Sequence, residues 1–277
     1  MNVGAHVSSA GPLSAAVERQ SAAGGTCGQL FTTAPVVWDE PTLTKEEETA
    51  FREASTVTGV DPWVIHAPYL VNIASPDPEL WERSIERLQA DLCLAERIGA
   101  TSVNVHLGAH TGSGVDAGIE RASDAIDRLT VPDSVRLVVE TDAGAGTKLG
   151  GDFDHFAALF DRVDTPLSVC FDTAHVHVSG YDLSTATGVA ETFDRFDANV
   201  GLDSLGLVHL NDPVHECGSR TDEHAHIGDG TIGSSGITEI LTYVASMSVP
   251  MILETPVDDD RGDAWNITRI RTLSENI

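Results

Sequence analysis

Eight short apolar runs alternate with eight longer stretches of helical periodicity, and this alternation limits the chain more than any other feature. The runs cover 2–6, 27–31, 63–66, 102–106, 136–140, 167–172, 205–209 and 249–254. Val135-Arg-Leu-Val-Val139 and Ser168-Val-Cys-Phe171 are nearly continuous in apolar character, as strands covered on both faces are. Between the runs the spacing predicts helices over 12–23, 45–56, 78–98, 119–129, 153–161, 189–199, 237–244 and 264–274. In the third of these, Leu80, Ile85, Leu88, Leu92 and Ala95 make one stripe. Pro76 and Pro78 mark its start and Gly99 its end. Repeated βα units require a parallel sheet, and eight of them in 277 residues fit a closed (β/α)8 TIM barrel, typically about 250 residues long. With no linker or shift of composition, the expectation is an α/β fold with one domain over 1–277. A doubly wound open sheet is the alternative. It would be expected to carry a glycine-rich phosphate loop after the first strand, and Gly4-Ala-His-Val-Ser8 is not one.

Charge is the second constraint. Forty-three acids face sixteen bases, for a net charge of −27, and only Lys45 and Lys148 are lysines. Such like charge destabilises a compact state at ordinary salt. At about 1 M salt the screening length falls to about 3 Å and the repulsion fades. The acids are spread along the chain rather than gathered in a tail, so the expected setting is a halophile's salt-rich cytoplasm. No apolar run is long enough for a membrane span, and residues 1–6 lack a signal-peptide pattern. Cys27, Cys93, Cys170 and Cys217 form no CxxC pair and read as reduced thiols. Taken alone, the charge argues against a nucleic-acid ligand.

The strand ends carry the chemistry. His6, His66, His106, Glu140, Asp172, His209 and Glu254 each close a predicted strand, and barrel active sites gather at that end. A lone strand-end histidine is usually a hydrogen-bonded structural residue, and a lone acid usually a cap or ion-pair partner. Seven on one rim would repel or stay unsatisfied without cations. Asp172-Thr-Ala-His175 adds a ligand pair three residues apart. Asp222-Glu-His224 adds another, ahead of the flexible Gly228-Asp-Gly230-Thr-Ile-Gly233. Histidine and carboxylate without thiolate suit zinc, manganese or iron(II). The ligand count calls for two or three ions with a bridging carboxylate, an arrangement that hydrolyses phosphate esters or amides.

At these residues the sequence resembles the endonuclease IV family of metal-dependent apurinic/apyrimidinic endonucleases, nearly end to end. The matching stretches include His66-Ala-Pro-Tyr-Leu-Val-Asn-Ile73, Asn104-Val-His-Leu-Gly-Ala-His110, Glu140-Thr-Asp-Ala-Gly144, Phe171-Asp-Thr-Ala-His175 and His209-Leu-Asn-Asp212. The most specific is Gly218-Ser-Arg-Thr-Asp-Glu-His224 with Ile227-Gly-Asp-Gly230. The resemblance implies three Zn(2+) per chain, with Mn(2+) able to take part of the set. One ion would be held by His66, His106 and Glu140. A second would share Glu140 and add Asp172, His209 and Glu254. A third would take His175, Asp222 and His224. The implied reaction is in-line attack of water on the phosphodiester 5′ to an abasic site in double-stranded DNA. It leaves a 3′-hydroxyl and a 5′-deoxyribose phosphate. Glu140 and Glu254 are the implied catalytic carboxylates, with Glu254 orienting or deprotonating the water. Tyr69 and Trp38 are expected at the DNA; plain rim packing is the alternative for Tyr69. His6, His110 and Asn211 are expected to orient ligands, whereas His177, His215 and His226 are expected at the surface. The chain is expected to act as a monomer in the cytoplasm.

Departures from the family pattern fall in one class. Phe31-Thr-Thr-Ala-Pro-Val-Val-Trp38 has no basic residue, Pro213 and Val214 stand where serine and lysine are usual, and Glu223 stands where an arginine is. In molar salt counterion release yields little, so lysine and arginine at a DNA interface contribute less. A sugar isomerase or epimerase on the same barrel, with one metal ion, is the competing enzyme class; it has no call for Asp222 and His224. A non-catalytic metal or nucleic-acid binding protein is the third reading.

Overall fold

The computed structural model describes residues 1–275 and 277. Eight parallel strands form one sheet: β1 (Asn2–Ala5), β2 (Gly28–Phe31), β3 (Trp63–His66), β4 (Ser102–His106), β5 (Arg136–Glu140), β6 (Leu167–Asp172), β7 (Leu205–His209) and β8 (Pro250–Leu253). Their order around the sheet is 1-8-7-6-5-4-3-2. The first and last strands pair in register from Asn2 with Pro250 to Ala5 with Leu253. The seam between β1 and β2 is closed by a single bridge, His6 to Gln29, and by the Val7 N–H on the Gln29 carbonyl at 2.9 Å. Gly4 permits that closure, because a Cβ there would lie 1.9 Å from the Cys27 carbonyl oxygen. The chain is therefore the TIM barrel the alternation called for.

Helices α1 (Ser14–Ala22), α2 (Lys45–Thr58), α3 (Pro78–Ile98), α4 (Val115–Asp127) and α5 (Phe153–Phe160) follow the first five strands. Then α6 (Thr173–Ser179) and α7 (Ala186–Asn199) follow β6, α8 (Gly233–Val244) follows β7, and α9 (Asp263–Ser274) follows β8. The sequence reading missed α6, which leaves β6 without a loop. Asp172 ends the strand and caps the helix at once, its Oδ1 accepting the His175 N–H at 2.8 Å. Among the described residues, no helix is long and apolar enough to cross a membrane.

Period-two alternation sorts the strand residues into two layers. Val3, Leu30, Ile65, Val103, Val139, Phe171, Val208 and Met251 face outward to the helices in the main core. Cys27, Val64, Val138, Cys170, Leu207 and Ile252 form a separate buried cluster inside the barrel. Two positions further along the same inward faces stand Gln29, His66, Glu140, Asp172, His209 and Glu254. The apolar plug thus forms a floor, and the polar layer sits above it at the C-terminal mouth.

Candidate metal centre

Three overlapping groups occupy that layer. His66, His106 and Glu140 present ligand atoms within 4.8 Å of one another, as do Glu140, Asp172, His209 and Glu254, and again Asp172, His175 and His224. Asp222 joins the last group: its Oδ2 lies 3.1 Å from His175 Nε2 and its Oδ1 3.1 Å from His224 Nε2. Glu140 belongs to two groups. Its Oε1 is 2.9 Å from His209 Nδ1, while its Oε2 is 3.2 Å from His66 Nε2 and 3.4 Å from His106 Nε2. All nine residues singled out as ligands from the sequence meet here. Cys170 also approaches Glu140 and His209. Burial pushes its thiol far above the ordinary value, so it stays protonated and ligates poorly.

Ring orientation shows what this arrangement fits. His66 Nδ1 donates to the Ala67 carbonyl at 2.7 Å, His175 Nδ1 to that of Thr141 at 2.9 Å, and His224 Nδ1 to that of Glu254 at 2.9 Å. His209 is reversed, with Nε2 donating to Gln29 Oε1 at 2.9 Å. The second nitrogen of each neutral ring is then a bare lone pair, and each one faces a carboxylate oxygen. Lone pair against anion is repulsive unless a cation lies between. Protons are one solution: burial lowers the pKa of His175 and His209, but the surrounding anions more than offset it and hold both well above the ordinary value. The acids shift in the complementary sense, Glu140 and Glu254 being held well below the usual range by these imidazoles despite burial. Metal ions are the better solution. Proton sharing still leaves His106 Nδ1 and His224 Nε2 buried without a well-directed hydrogen bond, and the donated N–H bonds set the tautomers that ligation needs.

Residues that the sequence reading passed over hold these groups in place. Gln29 is fully buried and donates from Nε2 to Glu254 Oε1 at 2.9 Å while accepting from His209. Asn104 donates to Glu140 Oε2 at 2.7 Å. Asp142 Oδ2 lies 3.5 Å from His106 Nδ1 and 3.2 Å from Lys148 Nζ. The signal was available: Gln29 and Asn104 are single amides inside runs that otherwise read as buried strand, and a buried amide needs partners. Asn211 acts as expected, donating to Asp172 Oδ2 at 2.8 Å and accepting the Glu254 N–H at 2.8 Å. Asp212 organises the loop that carries Asp222 and His224. It accepts four backbone N–H groups, from Gly228, Gly230, Ile232 and Gly233, at 2.9–3.2 Å. Gly230 is required there, since a Cβ would sit 2.2 Å from Asp212 Oδ1.

Above the layer opens a cavity of about 490 Å³ lined by His6, Phe31, Tyr69, Thr255 and the exposed edges of the ligand set. His6 Nδ1 lies 3.2 Å from Glu254 Oε1, as expected of an orienting partner. Tyr69 is 64% exposed and rests edge-on against Phe31, 5.3 Å between ring centres. Trp38 does not line this cavity. Its half-buried ring lies under the Arg83 guanidinium at 4.5 Å, and Val36 is the exposed apolar residue of that loop. His110 does not touch the ligands either; its Nδ1 accepts the Gly112 and Gly114 N–H groups in the turn that leads into α4. Of the histidines expected at the surface only His215 is there, paired with Glu223 at 2.8 Å. His177 and His226 are buried because each has a local partner: His177 accepts the Leu183 N–H, and His226 bonds Asp258 and Asn266.

Fold and site together define a TIM barrel with a multi-ligand metal centre at its C-terminal mouth, and residues 17–273 match the family described as xylose isomerase-like TIM barrel. The chain is 50% identical over 275 residues to a "Probable endonuclease 4" of Natronomonas pharaonis, covering 99% of each protein. It is also 50% identical to that of Halobacterium salinarum, again covering 99% of each. The structure of endonuclease IV from Thermus thermophilus superposes with a TM-score of 0.89 at 37% identity over the full length of both chains. A D-tagatose 3-epimerase-like protein shares the fold, with a TM-score of 0.75 at 17% identity. The chain belongs to the endonuclease IV family, and it is a deoxyribonuclease of the phosphodiester hydrolase class.

Proposed function

We propose that this chain incises double-stranded DNA at abasic sites. It would hydrolyse the phosphodiester 5′ to the lesion and leave a 3′-hydroxyl and a 5′-deoxyribose phosphate. The observation that supports this reading best is the convergence of nine ligand residues into three overlapping groups on one rim, because a one-metal isomerase has no use for the Asp222–His224 pair. We assign His66, His106 and Glu140 to one zinc, Glu140, Asp172, His209 and Glu254 to a second, and His175, Asp222 and His224 to a third, with Mn(2+) able to take part of the set. Bound ions of this kind lower the pKa of water and neutralise charge on a phosphate under attack.

The chain's own part is positional. Glu140 holds two histidine groups at fixed separation from a fully buried strand end. Glu254 is the carboxylate of its group that lines the cavity, and its Oε1 is occupied by Gln29 and His6. Its Oε2, 3.3 Å from His209 Nδ1, is left to face the ion of that group and would orient water beside it. Tyr69 supplies an exposed aromatic edge beside the site, suited to the gap where a base is missing. The reading further takes the chain as one domain over 1–277, acting as a monomer in the cytoplasm. The test is incision of a duplex with a single tetrahydrofuran site, alongside metal analysis. Cleavage 5′ to the lesion with about three metals per chain is expected. No cleavage, with about one metal and turnover of a ketose, would move the chain to the epimerases.

A further inference from the structure

Beside the metal centre lies a second cavity, of about 370 Å³, built mainly from the loops that follow β5, α6 and β7, with His110 from the turn before α4 and Arg195 from α7. All three loops stand on the C-terminal side of the barrel, as the active mouth does. In a chain with sixteen lysines and arginines against forty-three acids, this one cavity collects Lys148, Arg195 and Arg220. Asp152 is the single carboxylate lining it, and that group is already engaged by the Tyr181 hydroxyl at 3.0 Å. The mouth cavity, by contrast, is lined by Asp222, Glu223 and Glu254.

Arg220 is the informative cation. It belongs to the Gly218–His224 motif, yet the metal centre makes no use of it. Its backbone is in the left-handed region, φ 56°, where residues other than glycine sit at a cost, and its N–H is anchored on the Val178 carbonyl at 2.8 Å. Among the described residues its guanidinium has no ion pair, hydrogen bond or ring partner. Lys148 and Arg195 are half-exposed and each keeps only one carboxylate contact, at 3.2 and 3.5 Å. Two imidazoles complete the lining. His110 Nδ1 accepts from Gly112 and Gly114, and His155 Nδ1 accepts from Gly150, which leaves each ring its Nε2–H to donate. Three cations, two on loops and Arg195 on α7 over the Tyr181 ring, exceed what a lone carboxylate ligand needs, and they suit the oxygens of a phosphodiester. The cavity is also tied to the chemistry, because Asp142 Oδ2 contacts both Lys148 Nζ and His106 Nδ1.

We propose that this cavity is a phosphodiester subsite in which Arg220, Lys148 and Arg195 seat the backbone of the DNA strand next to the scissile bond. The proposal rests on the nuclease reading, and it says where an acidic chain without the usual basic loop residues grips its substrate. The test is the salt dependence of binding to a duplex with one tetrahydrofuran site and to the same duplex intact. It is measured over the potassium chloride range in which the chain stays folded. Arg220→Gln and Lys148→Gln should each lower the log–log slope by about 0.9, equally on both duplexes, as lost phosphate contacts do. Arg220→Lys should keep the slope, which separates charge from any effect on the strained turn. Arg162→Gln, a cation on the loop entering β6 at the opposite end of the barrel, should leave it unchanged. Wild-type slopes in both cavity variants would overturn the proposal. So would an equal loss in the Arg162 variant, or inorganic phosphate stabilising the wild type but not Arg220→Gln while the DNA slopes stay equal. The slope is read from binding alone, so a chain that binds in this way without incising would sink the nuclease reading and leave the subsite standing.

Discussion

Replacing Glu140 by glutamine should remove one particular metal rather than weaken all of them. The substitution keeps the shape and deletes one anionic oxygen. The amide's orientation is then decided by Asn104, whose Nδ2 donates to the Oε2 position at 2.7 Å. Two N–H groups cannot face each other there, so the glutamine oxygen takes the Oε2 position and its NH2 turns to the Oε1 position. That places a donor 2.9 Å from His209 Nδ1, where the lone pair accepts it and is lost as a ligand. The group of Asp172, His209 and Glu254 should lose its ion, while His66 and His106 keep an oxygen beside them. Metal analysis after dialysis should read about one ion fewer per chain. An ion facing a phosphate under attack contributes several kcal/mol. At 1.36 kcal/mol per factor of ten, a loss of about 4 kcal/mol slows single-turnover incision about a thousandfold. Adding Asn104→Asp frees the amide to turn over, and the missing ion should then no longer be the same one. Wild-type metal content and near wild-type incision in Glu140→Gln would refute the bridging role and the reasoning from Asn104.

Other expectations follow from the same geometry. Asp222→Ala with His224→Ala should also remove about one metal per chain and cut turnover by orders of magnitude, read by metal analysis and single-turnover incision; unchanged metal content would show that this loop holds none. Tyr69→Ala should narrow the preference for abasic over intact duplex in a binding assay, whereas Trp38→Ala should leave it alone because that ring is held under Arg83; the opposite pattern would reverse the two roles. In the metal-free protein, burial opposes protonation of His224, but Asp222, Asp172 and Glu254 more than offset it and raise its pKa from 6.5 to about 9. A raised folded-state value stabilises fully below the unfolded one and is lost as pH rises through the folded one. Melting temperatures of chelated protein should therefore fall between pH 6.5 and 9 relative to those of metal-loaded protein, and parallel profiles would refute the pairing.

The barrel was legible because strands buried on both faces announce themselves as apolar runs, and because residues such as Pro78 and Gly99 start and stop helices locally. The ligands were legible because each polar strand end breaks such a run at its last residue. Asp172 shows the limit: one residue ends β6 and caps α6, so no loop composition marks the helix that presents His175. Gln29, Asn104 and Asp142 were missed because their role depends on which face of a strand or loop they occupy. His110 stands apart from the ligands, and Trp38 outside the mouth cavity, for the converse reason. Both lie in loops after strands, where nothing periodic fixes direction, and each was captured locally, one by a turn and the other by Arg83.

The seam between β1 and β2 has a consequence for the order of assembly. β1 is made long before its ladder partner β8, almost 250 residues later, and to its other neighbour it is joined by one bridge and the flanking hydrogen bonds of Thr26 to Val3 and Val7 to Gln29. Contacts so distant in sequence form late. Gln29 spans the seam with its side chain, touching His6 from β1, Glu254 beyond β8 and His209 from β7. Closing the barrel and completing the second ligand group are therefore one event. A chain interrupted before β8 has neither a closed sheet nor Glu254, so on the assignment proposed above that ion would be captured only once the barrel has closed. Amide exchange in Asn2–Ala5 should accordingly slow more on metal loading than exchange in β4 or β5, whose ladders are complete without it.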